Sequence, residues 1–234
     1  MSDVIARFDY VRGRVAASAR RSGRDAREVL IVAVSKGVSE SKISELYEEG
    51  HRDFGENRAD ELLAKQRILP KDIRWHFIGR LQRNKVAKVL SAASLIHSVE
   101  RSDLAEALSK RARLAKGGLG VLIEVNVSGE TAKGGVAPEQ AYDLAVFCDD
   151  LEGLRLEGLM TMAPLSGDPE VIRACFRGLR QLALDMQARI PSAAIHHLSM
   201  GMSQDYEVAV EEGSTIVRME VRSSGRGRHR RVRD

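Results

Sequence analysis

Lys36 offers the most chemistry in this chain. It ends an otherwise apolar run, Leu30–Lys36 (LIVAVSK). An amine beside an apolar wall can act as a nucleophile toward an aldehyde. The plain alternative is a lysine whose head reaches solvent from a strand end. Arg218 lies in another short β-branched run, Thr215–Met219 (TIVRM). Its guanidinium donates hydrogen bonds and accepts none, which suits a ligand acceptor and, equally, a structural ion pair. Ser199 and Gly201, in LSMGMS, offer a hydroxyl and backbone N–H groups ahead of a helix expected from about Ser203. That arrangement suits an anion, and an ordinary strand-to-helix turn with a serine cap reads the same way. Asn57, His76, Asn126 and Thr161 add polar groups near the ends of other apolar runs. The neighbours His196 and His197 point to opposite faces of a strand, so they do not form a metal pair.

Something must bring these residues together. Besides the two runs above, the sequence shows Asp53–Asn57 (DFGEN), Trp75–Gly79 (WHFIG), Leu95–Val99 (LIHSV), Val121–Val127 (VLIEVNV), Leu156–Met162 (LEGLMTM) and His196–Met202 (HHLSMGM). The starts of the eight runs are mostly about 20 to 40 residues apart. Between them apolar residues recur at helical spacing, as in Ile43, Leu46, Tyr47 and Val86, Val89, Leu90. Ser39 and Ser102 are candidate N-caps, each with an acid in the following turn. Eight strand–helix alternations without a composition break predict one parallel (β/α)8 barrel, TIM-like, over residues 1–221, with residues 1–22 as an extra N-terminal helix. Functional groups of such a barrel gather at the C-terminal ends of its strands. The open doubly wound alternative lacks support: the first strand ends in Ser35-Lys36-Gly37, not in a glycine-rich dinucleotide turn.

Composition narrows the job. The 234 residues are 43% hydrophobic and 30% charged, ordinary for a globular protein. No apolar run approaches the roughly 20 residues needed to span a bilayer. The first residues lack the apolar stretch of a secretory signal. Two distant cysteines, Cys148 and Cys175, make neither a disulfide framework nor a zinc signature, and a cytoplasmic setting is expected. The net charge of +4 is concentrated in residues 222–234, which hold six arginines and one acid. Without them the chain carries 31 basic and 32 acidic residues, so the body has no basic excess with which to grip nucleic acid. The tail is expected to be disordered.

Taken together, the motifs resemble one family. They are AVSKG around Lys36, FGENRADEL at Phe54–Leu62, WHFIGRLQRNK at Trp75–Lys85, IHSVE at Ile96–Glu100 and EVNVSGETAKGG at Glu124–Gly135. They continue in order with EGLMTM at Glu157–Met162, LSMGMSQD at Leu198–Asp205 and GSTIVR at Gly213–Arg218. The chain resembles the pyridoxal phosphate homeostasis proteins, also called proline synthetase co-transcribed, whose fold is similar to the N-terminal barrel of alanine racemase. The resemblance implies that Lys36 carries pyridoxal 5′-phosphate (PLP) as a Schiff base. It implies that Ser199, with nearby backbone N–H groups such as that of Gly201, holds the phosphate and that Arg218 faces the pyridine nitrogen. Asn57 and His76 would line the pocket, and Met160 and Met202 would pack near it.

A guanidinium at the ring nitrogen cannot accept a proton, so it leaves the ring unprotonated and a weaker electron sink. The second proton-transfer group of alanine racemase comes from a further domain, for which one barrel leaves no room. The expected role is therefore a carrier of PLP, a monomer that serves apo-enzymes with little or no catalysis of its own. A weak amino-acid racemase is the rival, and an RNA-binding protein using the arginine tail is a third reading. After Arg218 the sequence departs from the family's Ile-Gly-x-x-Ile-Phe-Gly-x-Arg, reading Met219-Glu220-Val221-Arg222-Ser223-Ser224-Gly225-Arg226-Gly227. Any Met-Glu codon pair contains a glycine codon two bases later, and one back-translation yields Gly-Ser-Ala-Leu-Phe-Gly-Ala-Arg in that frame. The end thus reads as a base lost near codon 219, which resequencing the gene would settle. Glu220 would bring a carboxylate toward a phosphate dianion. Gly37-Val38 also replaces a second basic residue common after the lysine, whereas Lys133 matches a basic family position.

Overall fold

The computed structural model describes residues 2–114, 118–130 and 133–221; the expected tail, residues 222–234, lies outside them. The strands are β1 (Leu30–Val34), β2 (Asp53–Glu56), β3 (Arg74–Phe77), β4 (Ala93–Val99), β5 (Leu119–Glu124), β6 (Leu154–Met160), β7 (His197–Met202) and β8 (Ile216–Glu220). They pair in chain order and close β8 onto β1 as a barrel, every pair parallel. The helices are α1 (Asp3–Arg21), α2 (Glu40–Glu48), α3 (Ala59–Ile68), α4 (Val86–Leu90), α5 (Ser102–Ala112), α6 (Pro138–Asp149), α7 (Pro169–Arg189) and α8 (Tyr206–Glu211).

Alternation along β1 shows how the sequence builds two layers. Ile31 and Ala33 join the outer core against the helices, while Val32 joins a small inner cluster with Leu95, Leu122, Met160 and Ile216. Both faces of each strand are covered, so the strands read as continuous apolar runs rather than as alternating ones. The extra helix α1 buries Val4, Phe8, Val11 and Val15, one helical stripe. Its other side is tied to α8 by Arg14–Glu207 at 2.6 Å and Arg21–Glu211 at 2.7 Å.

β1, β2, β3 and β6 stop one or two residues before the expected end, and β5 stops three before it. Lys36 and Asn57 therefore stand just past β1 and β2, on the rim of the barrel. Gly37 turns the chain at φ +61°, a conformation that favours glycine. Ser39 is an N-cap by position, but its hydroxyl lies 3.1 Å from that of Ser41 and caps no backbone N–H. Ser102 is the first helical residue of α5, with Arg101 at the N-cap. The helix after β7 begins at Tyr206, three residues later than expected, because Ser203–Asp205 form a turn in which Asp205 N–H donates to the Met202 carbonyl. Among the described residues, no helix is long and apolar enough to cross a membrane.

Candidate functional site

The rim is built around Lys36. The preceding residue, Ser35, is fully buried, and its carbonyl accepts from Lys65 Nζ at 2.6 Å. Its hydroxyl donates to Glu56 Oε1 at 2.7 Å, and Lys65 closes the triangle onto the same oxygen at 2.5 Å. This buried ion pair, with side chains 5% and 0% exposed, anchors the backbone that presents Lys36. Lys36 itself is open. Its side chain is 42% exposed, and Nζ lies 2.7 Å from Oε1 of Glu220, which is 45% exposed. The register explains that contact: Val34 pairs with Glu220, and Lys36 follows by two residues.

Below the rim, Arg218 is buried. Nη1 donates to the Ser199 carbonyl at 2.8 Å and to Ser199 Oγ at 2.6 Å, and Nη2 donates to the Thr161 carbonyl at 3.0 Å. Burial lowers its pKa to about 10, against the pull of Asp205 and Glu124, so the guanidinium stays charged at neutral pH. These bonds fix the plane of the guanidinium and use part of its five-donor capacity.

Ser199, expected to hold an anion, has no exposed surface; its hydroxyl is held between Arg218 and His97. The hydroxyl at the rim belongs instead to Ser203, the first residue past β7, whose Oγ accepts from the Glu220 N–H at 3.3 Å. Counting residues along LSMGMS carries the signal: Ser199 lies three residues before the strand end. Gly201 adopts φ +95°, and a Cβ there would sit 2.6 Å from that of Ala209, so the glycine lets α8 pack on β7. Met202 is half-buried, with its N–H donating to Asp205 Oδ1 at 2.6 Å. Met160 is buried in the inner cluster. Asn57 is exposed on the rim, and Gly79 must be glycine because a Cβ would collide with the Asn57 backbone. His76 is buried within the barrel, its Nδ1 3.0 Å from His97 Nε2. Lys133 donates to the Ala163 carbonyl at 2.8 Å.

Sequence reasoning missed Glu124, the last residue of β5. Burial and the neighbouring Glu100 raise its carboxyl to about 7, although Arg218 and Arg80 oppose this. A carboxyl whose folded pKa lies above its unfolded value stabilises the fold at low pH. That contribution is complete below the unfolded value, about 4.5, and is lost as pH rises through about 7. Glu124→Gln should therefore nearly match the parent near pH 4.5 and exceed it by about 3 kcal/mol near pH 8. Urea unfolding at the two pH values measures this; equal stability at both would contradict it.

The site offers an accessible amine, a buried donor-only cation and a rim hydroxyl. That set fits an aldehyde bearing a ring acceptor and an anionic group; Glu220 is a discordant neighbour. The family model for the alanine racemase N-terminal domain matches residues 13–219. The pyridoxal phosphate homeostasis protein of Aquifex aeolicus is 44% identical over 214 residues, covering 91% of this chain and 93% of that protein. The protein of the same name from Pseudomonas aeruginosa is 38% identical, covering 94% of each chain. Among solved structures, PipY of Synechococcus elongatus with PLP bound superposes with a TM-score of 0.78 at 33% identity, over 90% of this chain and 97% of that one. Alanine racemase of Clostridium difficile shares the fold, with a TM-score of 0.70 at 14% identity, over 91% of this chain and 54% of that one.

Proposed function

The chain belongs to the alanine racemase N-terminal-domain family and, within it, to the pyridoxal phosphate homeostasis proteins; from that membership we propose that it holds PLP on Lys36 and buffers the cofactor for apo-enzymes in the cytoplasm. The observation that carries the reading is the solvent-reachable Lys36 amine on the rim above the buried Arg218 guanidinium. When bound, PLP supplies an aldehyde that a lysine amine can take up reversibly. Lys36 would take up that aldehyde, and Arg218 would donate to the ring nitrogen. The phosphate seat would be Ser203 and the neighbouring backbone, because the Ser199 hydroxyl is already committed. Asn57 would border the ring from the β2 side. The proposal includes a monomer, which sedimentation would check.

One observation favours the rival, a weak racemase. Glu124 titrates near neutrality and its charge is felt at Arg218, so a group able to hold or release a proton stands near the site. Incubation with L-alanine and measurement of D-alanine discriminates between the two. Turnover on the order of 1 per second defeats the carrier reading.

Glu220 should work against loading. Its carboxylate holds the Lys36 ammonium and would stand toward a phosphate dianion. Both side chains are nearly half exposed, so the pair alone contributes little, about 0.2–1 kcal/mol. Removing the charge should tighten PLP binding about three- to tenfold, part from the freed amine and part from relieved repulsion. An absorbance titration of Glu220→Gln against the parent at low and high salt checks this. The gain should shrink as salt screens the charge. Equal or weaker binding by the variant would contradict the assigned role.

A further inference from the structure

A line of polar side chains crosses the otherwise apolar interior of the barrel. It starts at the face opposite the rim, where Asp53 and Arg74 open β2 and β3. Arg74 donates to Asp53 Oδ1 at 2.7 Å and is itself 56% exposed. Asp53 Oδ1 lies 3.2 Å from His76 Nε2, and His76 Nδ1 lies 3.0 Å from His97 Nε2. His97 Nδ1 lies 2.8 Å from Ser199 Oγ, and Ser199 Oγ accepts from Arg218 Nη1 at 2.6 Å. Asp53, His76, His97, Ser199 and Arg218 come from five strands and all are buried.

The chemistry of the two ends orders every proton between them. Arg218 can only donate, so Ser199 Oγ receives its N–H and must send its own hydrogen to His97 Nδ1. His97 then carries its proton on Nε2 and donates to His76 Nδ1. His76 in turn carries its proton on Nε2 and donates to the Asp53 carboxylate, which only accepts. With both rings neutral, any other order leaves two bare acceptors facing each other in this buried line. Two further observations support this ordering. Burial, with the nearby Arg218, His76 and His197, holds His97 neutral, its pKa well below the usual value. Burial would raise the Asp53 carboxyl, but hydrogen bonds from His76 and Arg74 outweigh it and hold it at about 2.

We infer that His97 and His76 form a one-way hydrogen-bond relay that locks Ser199 and so aims Arg218 toward the ring nitrogen of bound PLP, with His97 as its central positioning residue. The aim toward PLP rests on the carrier reading above; the proton order rests on the protein alone. Nitrogen-detected NMR of the unliganded parent protein tests the order. Both rings should show the Nε2–H tautomer at neutral pH, and His97 should stay neutral from about pH 6 to 8. Either ring in the Nδ1–H tautomer, or a His97 that titrates in that range, overturns the relay.

A PLP titration tests the aim. His97→Leu should weaken binding about tenfold and shift the visible absorption maximum, as the loss of one charge-assisted anchor requires. His97→Asn, whose side-chain oxygen can accept from Ser199, should recover most of both. An unchanged maximum and affinity in folded His97→Leu would overturn the positioning role. Where His97→Leu does not fold, Ser199→Ala takes its place with the same expectation. Should the parent itself stay colourless with PLP, the carrier reading falls, and the tautomers alone then decide for or against the relay.

Discussion

Lys36→Ala removes the visible absorption of the PLP-treated protein, near about 420 nm for a lysine Schiff base, and leaves borohydride nothing to reduce. The loss of covalent attachment should be complete, because the other lysines near the rim are spoken for. Lys65 is 5% exposed and bound between Glu56 and the Ser35 carbonyl. Lys133, 17% exposed, donates to the Ala163 carbonyl. Contacts to the ring and phosphate would remain, so the variant should still bind PLP, weaker by about a hundredfold. The variant should unfold like the parent, since a half-exposed ion pair is all that it loses. A variant that retains the band, or a parent in which borohydride fixes PLP elsewhere than residue 36, refutes the assignment of the amine.

The barrel itself was legible because eight strands buried on both faces leave eight short apolar runs, and helical spacing fills the gaps between them. Lys36 was legible for a related reason: a charged residue at the end of LIVAVS has few places to go except the rim. The strand ends were less so. Where the chain peels away at the rim, the apolar run continues into the loop, so Lys36 and Asn57 read as strand residues although they stand just beyond one. The end of β7 was read at Met202, where it lies; Ser199 was the expected phosphate partner by resemblance, and Ser203 was passed over because a helix was expected to begin there. The relay was not legible at all. His97 lies 21 residues from His76 and 102 from Ser199, and nothing in IHSVE shows that its imidazole turns inward beside theirs. Such contacts come from barrel closure, which sets register between strands distant in sequence. Glu220 was recognised as out of place, but its partner Lys36 appears only once β8 lies against β1.

The same argument sets the expectation for Lys65, a lysine on a surface-type helix that the fold buries. Lys65→Met should destabilise the protein by about 3–5 kcal/mol, because Glu56 would keep its charge inside the barrel wall with only Ser35 to satisfy it. The direction follows from desolvation: an ion pair buried to this degree contributes little net, yet breaking it strands the partner. The double variant Glu56→Gln/Lys65→Met should therefore recover much of the loss, since neither side then carries a buried charge. Urea unfolding of the two variants and the parent gives the comparison directly. The site should feel the change as well. Lys65 holds the Ser35 carbonyl, so even the rescued double variant should load PLP more weakly than the parent, its Lys36 backbone no longer anchored. If Lys65→Met is as stable as the parent to within about 1 kcal/mol, the ion pair is not the anchor of the rim, and the placement of Lys36 must owe its precision to β1 and β2 alone.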